Sequence, residues 1–568
     1  MIITLCILFA LISRVESYKI EVKVKQGRVL GTRQATLFDG HLYFAFYRIP
    51  YAQVPVKDLR FKDPKPPKKW NHTLDARTEY HGACAQAHIV HKHGIYGIEN
   101  CLYLNIYTPS LPKSEDRHLK PVIVWIHGYA FTSSFSHIHG ADFLIENDVL
   151  LVTLSHRIGI FGFFRPDDTN SDANMGLKDI VMALKWIRKN IKEFGGDKKR
   201  ITLMSCSSAA TFVSLLVMTE ARKLFSKIIL QSGSIFSPSI LQGDPNLERL
   251  RLIENLKQKG KTLKDATTKD IIMASLKMYT REEMQNFQRP VVPFSPIIES
   301  ESNTSLLTKG LMNIYESFEK SSLNKPILIG FNTQESISEV IPFIQNPLLL
   351  KSFRNTFKFM VPFSDGCSVN YGSRNYIFIA NKIKDRYFKS GISEKSLEDF
   401  IRYTSDLIKY PIVKFIKTLL RVNNRSNMYA YKFDYKGSFN AVKATSLGDS
   451  TITLKGAANG DELCYILKCE PLWETYAKLR SDTHSTDKTF MKRIANLWAN
   501  FAKYGNPTPL NNSGNVTWPA MAIKEENMLF IGKSIKVIDF RAENTMFRFW
   551  NHIYEKYYSN CNSTRDEL

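Results

Sequence analysis

The sequence predicts an α/β protein, a central and mostly parallel sheet flanked by helices, on three observations. Continuous apolar runs of strand length recur at residues 100–109, 122–126 and 149–154, and strands apolar on both faces belong to a sheet covered on both sides. Other segments carry apolar residues at helical spacing: Val181, Leu184, Trp186, Ile187 and Ile191 fall largely on one side of a helix over residues 179–191. The run Ile201-Thr202-Leu203-Met204 leads through a serine cluster straight into Phe212, Val213, Leu215 and Leu216, a short buried strand turning sharply into another apolar segment. Strands alternating with helices are the pattern of α/β architecture.

In chain order, residues 1–17 carry an apolar stretch too short to span a bilayer, then Val15-Glu16-Ser17, the layout of a secretory signal peptide. Residues 20–24 alternate with period two, and Gly27 to Gly31 supplies a hairpin signal. Further on, Phe490, Ile494, Leu497, Trp498 and Phe501 recur at helical spacing until Gly505-Asn506-Pro507 stops them, and Phe547, Trp550 and Tyr554 mark a last helix. These aromatic stripes are core. The polar tail, residues 559–568, ends in Arg565-Asp566-Glu567-Leu568, one residue away from the K-D-E-L retention address. Sequons at Asn71, Asn303, Asn424, Asn511, Asn515 and Asn562 fit a secretory route. No later stretch is long and apolar enough for a membrane span. The expected address is the lumen of the endoplasmic reticulum, or secretion.

Lys and Arg number 77 against 54 Asp and Glu, a net charge of +23. The charges are scattered, with no basic run interleaved with aromatics, so they read as a solvated surface and nucleic acid is not an expected partner. Removal of the signal peptide takes Cys6 and leaves an odd number of cysteines, hence a free thiol or an intermolecular bond. Cys206 is the candidate free thiol. The pairing of Cys367, Cys464, Cys469 and Cys561 stays open.

The serine cluster reads Ser205-Cys206-Ser207-Ser208-Ala209. A serine lifted on a strained strand-to-helix turn normally sits in G-x-S-x-G; here the serine is in place and Ser205 and Ala209 stand where the glycines would. Its flanks are FGGDKKRIT before and LFSKIILQSGS after. Elsewhere the chain carries Tyr47-Arg48-Ile49-Pro50-Tyr51-Ala52, Leu59-Arg60-Phe61, His127-Gly128-Tyr129-Ala130-Phe131, NMGLKD at 174–179, GFNTQES at 330–336 and KGAANGDEL at 455–463. Together these resemble the type-B carboxylesterases, the family that includes the cholinesterases, from about residue 22 to about residue 550; the last segment is similar to insect-type members. The resemblance implies an α/β-hydrolase fold in one domain over residues 18–558, with large loop insertions, and the hydrolysis of carboxylic esters by an activated serine. The length alone would suggest three or four domains, but no linker or repeat divides the chain.

Residue by residue, the resemblance places Ser207 as nucleophile and Glu335 as acid, in the chain order of this fold class. The family's histidine base falls on Asn459, and an amide cannot take a proton near neutral pH. His127, His156 and His484 are the other imidazoles considered, and none lies in a motif that would aim it at Ser207. The oxyanion donors map to the backbone N–H groups of Tyr129, Ala130 and Ser208; a tyrosine at 129 is expected to crowd the carbonyl, and Ser205 and Ala209 to mis-set the elbow. Cys84 and Cys101 match the family's N-terminal disulfide. Cys206 is expected to be buried and to point away from Ser207. Neither metal nor cofactor is expected. The resulting expectation is a catalytically impaired family member that binds a hydrophobic or ester-like small molecule, or a luminal protein. The alternative is an active serine esterase with a non-standard base.

Overall fold

The computed structural model describes residues 20–79, 82–87, 95–112, 118–128, 134–167, 173–237, 244–280, 283, 293–308, 324–352, 361–362, 369, 371–422, 427–482, 484–509 and 516–558. Its centre is an eleven-stranded sheet. In chain order the strands are β1 (Thr32–Ala35), β2 (Leu42–Pro50), β3 (Tyr103–Thr108), β4 (Lys120–Ile126), β5 (Leu150–Leu154), β6 (Gly196–Cys206), β7 (Lys227–Gln231), β8 (Ile327–Asn332), β9 (Met428–Phe433), β10 (Asn527–Ile531) and β11 (Ile535–Asp539). Across the sheet they run β11-β10-β9-β8-β7-β6-β4-β5-β3-β2-β1. From β5 to β10 neighbouring strands are parallel; the pairs at both edges are antiparallel.

The continuous apolar runs have a direct cause. In β4, Val122, Val124 and Ile126 enter one core while Ile123 and Trp125 enter the other. In β6, Ile201 and Leu203 face the first core, and Met204 and Cys206 the second. Five helices matter for the site: α1 (Met175–Asn190), α2 (Ser208–Val217), α3 (Leu397–Val422), α4 (Thr486–Tyr504) and α5 (Asn544–Tyr557). The buried residues of α1, α2, α3 and α5 join the first core, and those of α4, including Phe490 and Trp498, join the second. Gly505 closes α4 in the left-handed region, φ 71°, a conformation that costs glycine nothing. The N-terminal hairpin forms too, Glu21–Val24 against Gly27–Leu30, but in a separate small sheet with Thr73–Asp75.

Cys84 and Cys101 are disulfide-bonded, and so are Cys464 and Cys469. Cys206 is buried and free. Cys367 and Cys561 lie outside the described residues, as do residues 1–17, where a signal peptide is expected, the tail, and the sequons at Asn424, Asn511, Asn515 and Asn562. Asn71 and Asn303 are exposed. Among the described residues no helix is long and apolar enough to cross a membrane.

Candidate active site

The parallel strands deliver their carboxyl ends to one end of the sheet, where an open α/β fold places its site. There β6 stops at Cys206 and α2 starts at Ser208, leaving Ser207 alone to make the turn at φ 56°, ψ −129°. A non-glycine residue in that region costs on the order of 1–3 kcal/mol and persists only where its surroundings over-determine it. The surroundings are backbone: the Ser207 N–H donates to the carbonyl of Gln231 at 2.8 Å, and its own carbonyl accepts from Ala210 at 3.0 Å. The fit is tight around the turn, since a Cβ on Gly233 would lie 2.2 Å from the Ser207 carbonyl oxygen. The expected mis-setting by Ser205 and Ala209 does not occur. Ser205 is accommodated by donating its hydroxyl to the Ile229 carbonyl at 3.3 Å. The Ala209 methyl is buried without crowding: even a Cβ placed on the facing Gly128 would stand 3.4 Å from it, an ordinary contact.

Glu335 follows β8 and is fully buried. Its Oε1 accepts from the Asn332 backbone N–H at 2.6 Å and from the Ser232 hydroxyl at 2.8 Å. Its Oε2 is buried with no partner. Burial first, and then the neighbouring Glu462 carboxyl, push its pKa up to about 8 against the hydrogen bonds that lower it. Ser232 is itself held at φ 54°, a second strained serine on the adjacent strand end.

The segment at 455–463 brings Asn459 to the same place. Its backbone N–H reaches the Glu335 carbonyl at 3.4 Å, and its Oδ1 lies 3.6 Å from the Cys206 sulfur. The segment is pinned by the two carboxylates that follow. Asp461 accepts from the N–H groups of Ala458 and Lys443 at 2.7 and 3.1 Å and from Asn440 Nδ2 at 3.2 Å. Glu462 accepts from Gln231 Nε2 at 2.9 Å, Asn332 Nδ2 at 2.8 Å and the Tyr431 hydroxyl at 3.1 Å. Burial raises both carboxyls, Asp461 to about 6.

The family model for the carboxylesterase family matches residues 18–550. The chain belongs to the carboxylesterase family. It is 30% identical to a juvenile hormone esterase of Tribolium castaneum over 512 residues, covering 86% of this chain and 84% of that protein. It is 29% identical to esterase E4 of Myzus persicae, covering 87% of each. The fold matches that of juvenile hormone esterase from Manduca sexta, solved with OTFP covalently attached, with a TM-score of 0.77, 24% identity, and coverage of 94% of this chain and 100% of that one. That likeness shows the α/β-hydrolase fold.

In serine hydrolases of this architecture the acid holds the base by a side-chain hydrogen bond, and the base takes the serine proton. This carboxylesterase-family chain brings Ser207, Glu335 and Asn459 together without either link. The Ser207 hydroxyl and Asn459 Nδ2 make no hydrogen bond among the described residues, and Glu335 Oε2 is the orphan at the other end. An amide has no counterpart to the far ring nitrogen of histidine, so it cannot make both links at once. No imidazole among the described residues closes them. His127 Nδ1 accepts from the Phe135 N–H at 2.9 Å; His156 contacts the carbonyls of His127 and Arg157 at 3.2 and 3.1 Å. His484 is exposed on the turn before α4, its backbone N–H bonded to Asp482. Of the oxyanion positions, Ser208 is buried at the start of α2, while Tyr129 and Ala130 lie outside the described residues.

Sequence reasoning missed the part that four residues play at the site. Cys206, expected to be buried and to point away from Ser207, also touches Asn459, because strand alternation sends it to the second core where Ala457 and Leu463 pack. Gln231 and Ser232 also contribute; their position at the end of an apolar run beside the elbow strand was the available signal. Glu462 is the hub that joins them, and nothing in its local sequence announces that.

Proposed function

We propose that this carboxylesterase-family protein of the secretory pathway does not hydrolyse esters and instead uses the elbow site to bind a lipophilic, ester-like small molecule or a luminal protein. The observation that carries the reading is the doubly interrupted relay. With no side-chain bond from Glu335 to Asn459 and none from Asn459 to Ser207, no group stands ready to take the serine proton. The scaffold around the gap supports binding rather than decay, since Glu335, Ser232, Asn332, Glu462 and Gln231 keep a connected buried polar network, the kind that rigidifies a site.

A second reading, residual serine esterase activity, is favoured by the well-formed turn at Ser207 and by the esterases among the relatives. A fluorophosphonate probe, which labels activated serines, separates the two. The intact glycosylated protein is expected to remain unlabelled at Ser207; rapid, heat-sensitive labelling there would establish the esterase reading. Retention in the endoplasmic reticulum is part of the proposal, and removal of residues 565–568 is expected to move the protein into the medium.

A further inference from the structure

In a working triad the base presents a hydrogen-bond acceptor to the serine. The elbow of this chain has the opposite polarity, and the residue that sets it is Cys206. An asparagine amide carries one acceptor and two donors and can present either to its surroundings. At Asn459 the choice is fixed by what is packed beside it. Cys206 Sγ lies 3.6 Å from Oδ1, the reach of a weak S–H donor. Burial pushes the Cys206 thiol well above its ordinary range, so it keeps its proton and donates. The sulfur is there by register: β6 pairs in parallel with both neighbours, Cys206 opposite Gln231 on one side and Ser205 opposite Ile126 on the other. That register turns Cys206 towards the core containing Ala457 and Leu463.

What remains of Asn459 faces the site. The residue is only 7% exposed, yet its Nδ2 has no partner among the described residues. The nitrogen is not one of the fully buried unpartnered atoms, so it is open to an acceptor brought by a ligand. Beside it Ser207 is partly exposed, its hydroxyl also without a bond among the described residues. Burial pushes the Glu335 carboxyl up to about 8, which favours its neutral form near neutral pH.

We propose that Cys206 orients the Asn459 amide so that the elbow presents N–H donors, and that the site thereby selects a neutral lipophilic ligand through a hydrogen-bond acceptor such as a carbonyl oxygen. Cys206 acts here as a positioning residue: its thiol does no chemistry and need not be accessible. The proposal rests on the ligand-binding reading above.

The test compares two probes of similar size with the intact glycosylated chain, 2-tridecanone, which carries one acceptor, and n-tridecane, which carries none. Binding is followed by displacement of a fluorescent lipid. The ketone is expected to bind about three- to tenfold more tightly, the worth of one neutral hydrogen bond. In Cys206→Ala the amide is free to turn its oxygen towards the ligand, and the ratio is expected to fall to about one. Cys206→Ser, whose hydroxyl can donate to Oδ1 in the same place, is expected to restore it. A structural defect would weaken both probes together and leave their ratio unchanged. Failure of both probes to bind the natural chain would overturn the ligand-binding reading and this proposal with it. Binding of both without a ketone preference, or a preference that survives Cys206→Ala, would overturn the orientation by Cys206 and leave the reading standing. If Cys206→Ala does not fold, the ratio in the natural chain and in Cys206→Ser still decides.

Discussion

Two regions meet above the carboxyl end of the sheet, and they respond differently to the loss of their usual residues. The turn at Ser207 has neither glycine of its motif, yet it holds a strained φ of 56°. The segment at 455–463 keeps its flanking residues, yet its one change, at Asn459, removes both side-chain links of the relay. The difference lies in what each region is made of. The turn is fixed by backbone bonds and by strand register, which the side chains at 205 and 209 do not enter. A proton relay consists only of side-chain bonds in series, so one short residue opens it everywhere. Structure is distributed over many contacts; proton transfer is not.

The sharpest way to break this comparison is to measure ester hydrolysis. Losing the base of a serine triad costs on the order of 10⁶ in turnover. The natural chain is therefore expected to turn over an activated aryl ester no faster than Ser207→Ala does. Restoring the base alone, by Asn459→His, is expected to give little activity, because a tyrosine at position 129, which the family resemblance assigns to the oxyanion loop, is expected to crowd the carbonyl. Adding Tyr129→Gly and Ala130→Gly should raise the rate by more than the product of the separate effects, since triad and oxyanion hole act as a unit. Robust turnover by Asn459→His alone would show that the hole is serviceable and that the relay was the whole defect.

Stability measurements sharpen the same contrast from the other side. Glu462 accepts three buried hydrogen bonds, from Gln231, Asn332 and Tyr431. Glu462→Ala leaves those donors unpaired and is expected to cost about 3–5 kcal/mol in denaturant unfolding. Asn459→Ala gives up only a weak thiol contact and should cost less than about 1 kcal/mol. Equal costs would mean that Asn459 belongs to the scaffold after all.

A pH dependence sharpens the comparison further. Glu335 titrates near 8 in the folded chain and near 4.3 when unfolded. Between those values the folded state binds the extra proton, so stability from this group is present at low pH and falls as pH rises towards 8. The slope is at most about 1.4 kcal/mol per pH unit. Glu335→Gln should flatten the fall, raising the melting temperature relative to the natural chain at pH 8 more than at pH 5. A shift of the same size at both pH values would place the ionisation elsewhere.

The sequence by itself determined what is local. The apolar runs of β4 and β6 predict strands buried on both faces, the aromatic spacing from Phe490 to Phe501 predicts α4, and Gly505 predicts where it stops. The elbow serine, the acid after β8 and the missing base at Asn459 were all readable at fixed positions in short motifs, and the Cys84–Cys101 pair followed from the family likeness. Only the tertiary structure decided which side chains meet. Cys206 and Asn459 are 253 residues apart, Gln231 and Glu462 are 231 apart, and the Cys464–Cys469 bond was one of several pairings left open. The tolerance of Ser205 and Ala209 at the elbow belongs in the same group. The physical reason is register. A strand's own residues decide that it is a strand and which of them alternate; which partner each side chain faces depends on how neighbouring strands slide against one another, and that is settled by packing two cores at once.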